Sequence, residues 1–147
     1  MTAELEELRE QVRELRDREE IRNLIQEYRR TLDQRDLRGF SVLFAQDGSW
    51  SGKSGEATGP EAIYTMLVAQ LPDNPPAPAS TLWHINTDPA ITVDGDSATA
   101  STFWMHARRG EGDTLTLPTL GSYDDTFVRE NGRWRLARRL VTGLIPA

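Results

Sequence analysis

The sequence contains no cysteine among its 147 residues. This absence excludes disulfide bonds, thiolate metal sites and a cysteine nucleophile. Long hydrophobic runs are also missing, because the most apolar segment, residues 62–71, is too short and too polar to cross a bilayer. The N-terminal residues are acidic and have a helical pattern, rather than being basic and then apolar, so no signal peptide is expected. These features predict a cytoplasmic protein that does not associate with membranes.

The sequence also has no excess of basic residues, since its formal net charge is −6 at pH 7. A nucleic-acid-binding face needs basic side chains that contact phosphates, so nucleic acid is not an expected partner. Only two histidines occur, and they do not have the spacing of metal ligands. We therefore expect no metal and no cofactor. An apolar content of 37% and a charged content of 27% indicate an ordinary globular domain with a real core.

The first 34 residues carry two apolar patterns with helical spacing. The second pattern is centred roughly half a turn away from the first, at about 100° per residue. Either the helix breaks between the two patterns, or two faces of one helix contact two different partners. Asp17 and Glu20 have the spacing of a capping box, which favours a new helix starting there. We predict a helical arm over residues 1–16 that packs against another subunit of a homo-oligomer, a dimer or trimer, and a core helix over 18–34 in a single domain, 17–147. The first pattern comprises Leu5, Leu8, Val12 and Leu15, and the second comprises Ile21, Leu24, Ile25, Tyr28 and Leu32.

The remainder of the chain predicts short helices followed by strands. Asp36 can cap a short helix over residues 37–45, a strand follows near 48–51 and then a turn, and Gly59-Pro60 opens a helix to about residue 71. The four prolines of residues 72–80 indicate a loop. Strands are expected at 81–93, 97–108, 113–129 and 133–142, with type I′ hairpin turns at Asp94-Gly95 and Asn131-Gly132. Pro118 and Gly121 indicate a bulge or bend.

This order of elements predicts an α+β fold, with helices on one face of a curved antiparallel sheet. Both histidines, His84 and His106, lie in the first predicted hairpin. Histidine is the side chain whose ordinary pKa lies nearest to neutrality, so this hairpin is the expected place for chemistry. His106 shares a strand face with Trp104 and Thr102.

Several motifs resemble the SnoaL-like branch of the nuclear transport factor 2-like fold. The resemblance covers residues 18–140 and implies a cone-shaped curved sheet wrapped around N-terminal helices. Because this fold hosts dehydratases, isomerases, polyketide cyclases, dehydrochlorinases and non-catalytic binders, the fold alone does not define a reaction. The matching motifs are Glu20-Ile21-Arg22 through Tyr28, Leu32-Asp33, Asp36, Phe44, Gly59-Pro60-Glu61-Ala62-Ile63, His84, Pro89 through Asp96, and Gly132-Arg133-Trp134-Arg135-Leu136.

Within this family the chain is most similar to the bile-acid and scytalone dehydratases. In those enzymes an aspartate near the end of the first long helix orients a histidine from a central strand, and Asp33 and His84 stand at the matching positions. Tyr28 matches the tyrosine of bile-acid dehydratase. The resemblance therefore implies that His84 is a base, that Asp33 orients it, and that Tyr28 donates a proton or polarises a carbonyl.

The chain also departs from these dehydratases. Trp50 stands where they carry a tyrosine, and Gly143 stands where the bile-acid enzyme carries an arginine. Arg139 matches the arginine of the dehydrochlorinase relative, which implies a possible anion anchor. His106 lies two residues before the position of the second histidine of scytalone dehydratase.

The resemblance implies a pocket for a flat or polycyclic, mostly apolar substrate. The leading hypothesis is a dehydratase-type lyase or isomerase. A polyketide cyclase and a binding or scaffold protein without activity remain alternatives. Asp33 lies roughly 120° from the centre of the apolar helical stripe, which would suit a solvated aspartate equally well. Arg139 would also fit on a solvated strand face with the neighbouring arginines. The expected substrate-binding residues are Trp50, Leu67, Leu71, Trp83, Phe103, His106, Tyr123 and Arg139, although core packing explains the apolar ones equally well.

Overall fold

The computed structural model describes residues 2–71, 76–77 and 79–146. Three helices are Ala3–Asp33 (α1), Leu37–Ser41 (α2) and Pro60–Gln70 (α3). The described strands are Phe44–Gly52 (β1), Gly55–Thr58 (β2), Leu82–Asn86 (β3), Ala90–Asp94 (β4), Ser97–Arg109 (β5), Leu115–Glu130 (β6) and Arg133–Ile145 (β7). A short 3₁₀ turn, Glu111–Asp113, links β5 to β6.

The seven strands form one open sheet in the order β2-β1-β7-β6-β5-β3, with β4 also paired to β5. The predicted α+β class is confirmed. The sheet is mixed rather than wholly antiparallel, since β1 runs parallel to β7 while the other described pairs are antiparallel. The helices pack against the sheet around an apolar core that contains Ile21, Ile25, Tyr28, Phe40, Phe44, Ile63, Phe127, Trp134 and Leu136.

The predicted helix break at Asp17 is wrong. A single helix runs over 31 residues, and Asp17 is buried within it. Asp17 Oδ1 accepts hydrogen bonds from Arg129 Nη2 at 2.8 Å and from the indole Nε1 of Trp134 at 3.0 Å. Glu20 also faces the sheet, where its Oε1 accepts a bond from the Trp134 backbone N–H. The two acidic residues thus join α1 to β6 and β7 instead of capping a new helix.

Both predicted hairpins are present. At the end of β6, Asn131 and Gly132 have φ values of 52° and 78°, as a type I′ turn requires. The first hairpin differs in its turn residues, because Asp94 pairs with Ser97 and the turn is formed by Gly95 and Asp96. Of these two only Gly95 has a positive φ, 61°, which fits a type II′ turn instead of type I′.

Other boundaries differ from the predictions. Asp36 caps α2 by accepting a bond from the Gly39 N–H, but the helix ends at Ser41 and β1 begins at Phe44. The segment expected as a turn contains β2. The strand predicted over 81–93 is two strands, β3 and β4. Both pair with β5, and residues 87–89 between them belong to neither strand. The loop predicted over 72–80 falls partly on residues 72–75 and 78, which lie outside the described residues.

Two irregularities in the sheet determine which side chains face the helices. The β6–β7 register shifts between Leu120 and Gly121, at the predicted bulge. A second shift skips Ala137, since Phe127 pairs with Leu136 while Thr126 pairs with Arg138. Inward-facing residues of β7 are therefore even-numbered up to Leu136 and odd-numbered from Arg139. Among the described helices, none combines the length and apolar character needed to cross a membrane.

Candidate active site

The C-terminal residue of α1 and the middle of β3 meet in a carboxylate–imidazole pair. Asp33 Oδ1 lies 2.7 Å from His84 Nδ1, and both oxygens of the carboxylate also accept the His84 backbone N–H at 3.2 and 3.3 Å. Arg29, one turn earlier on α1, places Nη1 3.7 Å from Asp33 Oδ2. Asp33 is only 3% exposed, so the solvated position that helical geometry allowed is not the one observed.

The aspartate fixes the orientation of the imidazole. A carboxylate bonded to Nδ1 favours the tautomer that carries its proton there, which leaves Nε2 as an acceptor. The backbone N–H bonds hold the carboxylate to the same strand residue that it orients. The pair therefore has the arrangement of a histidine base with its orienting carboxylate.

His84 lines a cavity of about 510 Å³ between the helices and the concave face of the sheet. Most of its wall is apolar or aromatic, and exposed polar residues, Lys53, Ser54 and Gln70, lie on its lining as well. This size and composition match sites that enclose a small organic molecule. The apolar and aromatic lining residues include Tyr28, Leu32, Phe40, Trp50, Leu67, Leu71, Leu82, Trp104, Tyr123 and Val141.

His106 lies beside His84 because the two residues are register partners on β5 and β3. Their rings meet edge to face with centroids 4.9 Å apart, and the other neighbour of His106 is Trp104, at 4.8 Å. Burial, followed by repulsion from a protonated His84 and from Arg108, lowers the pKa of His106 to about 4. His106 is therefore a neutral imidazole at pH 7, suited to hydrogen bonding with a ligand rather than to carrying charge.

Tyr28 occupies the floor of the cavity. Its hydroxyl oxygen accepts a hydrogen bond of 2.9 Å from the indole Nε1 of Trp50. Burial raises the pKa of Tyr28, and the positive charge of Arg139 and the Trp50 bond only partly oppose that rise. The phenol thus keeps its proton at neutral pH and has that proton available to donate.

Arg139 is fully buried behind the cavity, so neither predicted location is observed. It lies neither on a solvated face nor on the cavity lining, because the shift at Ala137 turns it inward. Its Nε and Nη2 each donate a 2.7 Å bond to the carboxylate of Asp125. The guanidinium carbon lies 4.0 Å from the ring centroid of Tyr28 and 3.8 Å from that of Tyr123. A role as a direct anion anchor is not supported by this placement.

Two other predicted wall residues do not line the cavity. The side chain of Trp83 lies on the face of β3 opposite to that of His84. Its ring centroid is 5.3 Å from the guanidinium carbon of Arg109. Phe103 is 51% exposed, on the opposite face of β5 from Trp104. Successive side chains of a strand point to opposite faces, so neither can share the cavity with its neighbour. Trp50, Leu67, Leu71, His106 and Tyr123 do line it.

A larger groove of about 800 Å³ lies along the N-terminal half of α1, away from the histidines. Charged side chains make up most of its lining, including Arg9, Arg13, Arg16 and Arg129. Within the described part of the chain, no group of three or more histidine, aspartate or glutamate side chains has the geometry of a metal site. The aromatic cavity is therefore the candidate active site.

Comparison with known proteins places this geometry in a family. The profile of the SnoaL-like domain matches residues 13–140. The chain belongs to the SnoaL-like family. A curated relative of this SnoaL-like protein is the uncharacterized protein Rv2910c of Mycobacterium tuberculosis, 29% identical over 133 residues that cover 89% of this chain and 88% of the relative.

Solved structures agree on the fold. An NTF2-like protein with a cystatin-like fold from Novosphingobium aromaticivorans is 29% identical, with a TM-score of 0.84 over 100% of this chain and 94% of that one. A candidate scytalone dehydratase from the same organism is 22% identical, with a TM-score of 0.71 over 92% and 87% of the two chains. ActVI-ORFA of Streptomyces coelicolor is 20% identical, with a TM-score of 0.70 over 84% and 95%. At these lower identities the likeness concerns the fold alone.

Two residues in or behind the cavity of this SnoaL-like protein are absent from the predicted site, although strand alternation carries a signal for each. Asp125 alternates with Tyr123 and Phe127 on β6, so an acidic residue occupies an inward-facing strand position and needs a buried partner. Trp104 shares a strand face with His106, so the alternation of β5 predicts that Trp104 lines the same cavity. The indole of Trp104 packs directly against Gly121, where a side chain would not fit, because a Cβ there would lie 2.1 Å from the indole ring.

Proposed function

We propose that this SnoaL-like protein is a small-molecule lyase or isomerase, of the dehydratase type, that uses side-chain acid–base chemistry. The observation that supports the proposal best is the 2.7 Å bond between Asp33 and His84 at the wall of an aromatic cavity. This arrangement leaves His84 Nε2 as the basic atom available to a molecule in the cavity. An imidazole is a suitable base near pH 7 for a carbon acid next to a carbonyl group.

The proposed reaction begins with proton abstraction. His84 Nε2 takes a proton from the carbon α to a substrate carbonyl, and the electron pair of that C–H bond forms an enolate. Asp33 stabilises the imidazolium that results, because its carboxylate accepts the Nδ1–H bond. The imidazolium then returns the proton to a hydroxyl on the β carbon, the C–O bond breaks, and the enolate electrons form the new C=C bond. One water is released and His84 is neutral again.

Tyr28 is proposed to stabilise the enolate. Trp50 donates to the phenol oxygen, so the proton of the phenol remains free to bond the substrate carbonyl oxygen. One such donor typically contributes about 10²–10³-fold to the rate, and general base catalysis contributes about 10²–10⁴-fold. Together these factors suit an activated substrate with its leaving group β to a carbonyl.

The cavity indicates the substrate class. Its wall is mainly apolar and aromatic, with polar groups at His84, His106 and Tyr28 and further polar residues on its lining, Arg35, Lys53, Ser54, Gln70 and Thr119. A hydrophobic cyclic molecule of polyketide or steroid type, with a carbonyl and a hydroxyl close together, would fill this space and meet those groups. Ring closure of a polyketide by aldol addition would use the same base and the same carbonyl donor, so cyclisation is the nearest rival reaction.

The test is a panel of cyclic β-hydroxy ketones incubated with the purified protein in D₂O. Loss of water, followed by mass spectrometry, reports elimination, and exchange of the α hydrogen, followed by NMR, reports proton abstraction. We expect His84→Ala to lower the turnover by about 10²–10⁴-fold with folding intact, and Asp33→Asn to lower kcat by at least about 10²-fold because the tautomer is no longer fixed.

Two matched controls lie near these residues but outside the cavity. Ile85→Ala alters the outward-facing neighbour of His84, and Asp88→Asn converts an exposed carboxylate to an amide. Both are expected to keep the wild-type rate. A new carbon–carbon bond without loss of water would favour the cyclase. A ligand that stays bound and unchanged in both wild type and His84→Ala, with no α-hydrogen exchange, would contradict the enzyme and favour a binding protein.

A further inference from the structure

The N-terminal half of α1 exposes an apolar stripe that its own domain does not cover. Leu5 is 41% exposed, Leu8 55%, Val12 38% and Leu15 65%. Their 3-4-3 spacing is that of a heptad seam. Four large apolar side chains in one row on a protruding helix are more than the scattered apolar residues of an ordinary surface.

The domain holds this half of the helix in a fixed direction. Asp17 is bonded to Arg129 and Trp134, and Arg18 Nη1 donates to the Ile91 carbonyl at 2.6 Å. From that anchor α1 continues as unbroken helix to Ala3. The stripe lies roughly half a turn around the helix from the residues that enter the core, at about 100° per residue. It therefore points away from the core, and of its residues only Leu8 and Val12 also line the groove beside Asp96 and Arg129.

We propose that the stripe of Leu5, Leu8, Val12 and Leu15 pairs two copies of this chain as a short parallel coiled coil. In the heptad that the spacing defines, Leu5 and Val12 occupy a positions and Leu8 and Leu15 occupy d positions. Of the two a positions only Val12 is β-branched, and a β-branched residue at a with leucine at d favours a parallel pair of helices. Since the stripe lies roughly half a turn from the residues that enter the core, parallel pairing brings the two helices together on the side of α1 opposite its own core.

The charges beside the seam complement one another between copies. Glu4 occupies a g position and Arg9 the following e position, the two positions that meet across a parallel pair. Neither residue has an ion pair within the described part of its own chain, whereas Arg13 and Arg18 are paired with Glu10 and Glu14. An antiparallel pairing would instead bring the e positions, Arg9 and Arg16, beside each other, and would bring Glu4 near Arg18, which already bonds Glu14 and the Ile91 carbonyl of its own chain. Charge therefore selects the parallel orientation.

The pairing ends where the stripe ends. Continuing the heptad past Leu15 reaches Glu19 and Arg22, which form an ion pair with each other at 3.5 Å. Arg22 also bonds Asp88 of its own domain. No apolar seam follows at these positions, so the contact is confined to about two heptads. An association of this length is expected to be reversible and to depend on protein concentration.

The experiment measures the mass of the full chain by sedimentation equilibrium over a range of concentrations. A protomer of 16.6 kDa should give twice that mass for the wild type at high concentration. Val12→Glu should give the mass of one protomer, because it places a charge in the seam. Val68→Glu is the matched control: it is the same substitution at an exposed helical position, 46% exposed, on α3. This control should keep the wild-type mass.

A charge exchange tests the orientation. Glu4→Arg and Arg9→Glu should each weaken association by roughly two- to tenfold, and the double variant should restore it. Residues five apart do not face each other on one helix, so the recovery can only arise between copies. A wild type that stays at one protomer, or a dimer unchanged by Val12→Glu, would overturn the proposal. A double variant no tighter than the singles would overturn the parallel pairing.

Discussion

The indole N–H of Trp50 bonds the hydroxyl of Tyr28 across a distance of 2.9 Å. Trp50 stands where the related dehydratases carry a tyrosine, so the departure replaces a second phenol with a donor directed at the first. An indole N–H donates but does not accept, which leaves the phenol proton of Tyr28 as the group that can point elsewhere. Under the proposed function, Trp50 therefore orients the phenol of Tyr28 instead of donating a proton itself.

Trp50→Phe is expected to lower kcat by about fivefold, because a neutral hydrogen bond of about 1 kcal/mol no longer orients the phenol. Steady-state kinetics with a ketone that the wild type converts would measure this loss, and KM is expected to change less than kcat. Trp83→Phe, outside the cavity, serves as the control and should leave both constants at wild-type values. Equal losses in the two variants would contradict a specific role of the Trp50 bond.

The buried pair of Arg139 and Asp125 should be sensitive to removal of one partner only. Asp125→Ala leaves a fully buried guanidinium without its carboxylate, and we expect the free energy of unfolding to fall by about 3–5 kcal/mol. The double variant Asp125→Leu with Arg139→Met should lose much less, since no uncompensated charge remains. Urea unfolding followed by circular dichroism measures both. If the double variant is no more stable than Asp125→Ala, the pair contributes through packing instead.

Asp17→Ala should destabilise the protein although Asp17 lies on a helix where alanine is favoured. Trp134 Nε1 and Arg129 would lose a buried acceptor, at a cost of about 1–3 kcal/mol in the free energy of unfolding. Asp88→Ala, on an exposed ion pair, should cost about 0–1 kcal/mol. Thermal and urea unfolding of the two variants would compare them. Equal stabilities would show that the bonds to Asp17 do not hold α1 in place.

His106 should make the fold sensitive to mild acid. Its pKa is about 4 in the folded protein and near 6.5 in an unfolded chain. Between those values the unfolded state binds more protons, so the free energy of unfolding falls as pH drops from about 6.5 toward 4. Below that range the contribution is constant. His106→Asn removes this proton uptake, so the loss of stability between pH 7 and pH 5 should be smaller in the variant than in the wild type. Urea titrations at the two pH values test this, and equal losses would contradict it.

Local signals in the sequence account for most of the fold. The α+β class, the cap of Asp36, the proline at the start of α3 and the two hairpins follow from local rules, because turn and capping residues act over a few positions. The alternation of buried and exposed residues along β5 also follows from a local rule. The helix break at Asp17 was predicted by the same local reasoning and is wrong, since its carboxylate bonds a tryptophan more than a hundred residues away.

The candidate site shows the same division. The pairing of Asp33 with His84 followed from the family resemblance, whereas helical geometry left Asp33 equally consistent with solvent. Arg139 could not be placed from its strand pattern, because the skipped residue Ala137 reverses the alternation. A bulge is a property of the register between two strands, and register depends on contacts that are distant in the chain.

The sequence by itself determined the α+β class, most of the helices and strands and the absence of thiol chemistry, because these depend on residue type and near neighbours, whereas the proposed base and acid came from the family resemblance. The tertiary structure alone decided that Asp33 is buried against His84, that Trp50 bonds Tyr28, and that Trp83, Phe103 and Arg139 lie outside the cavity. Those outcomes depend on strand register and on helix-to-sheet packing, which sum many weak distant contacts that no short pattern of residues encodes.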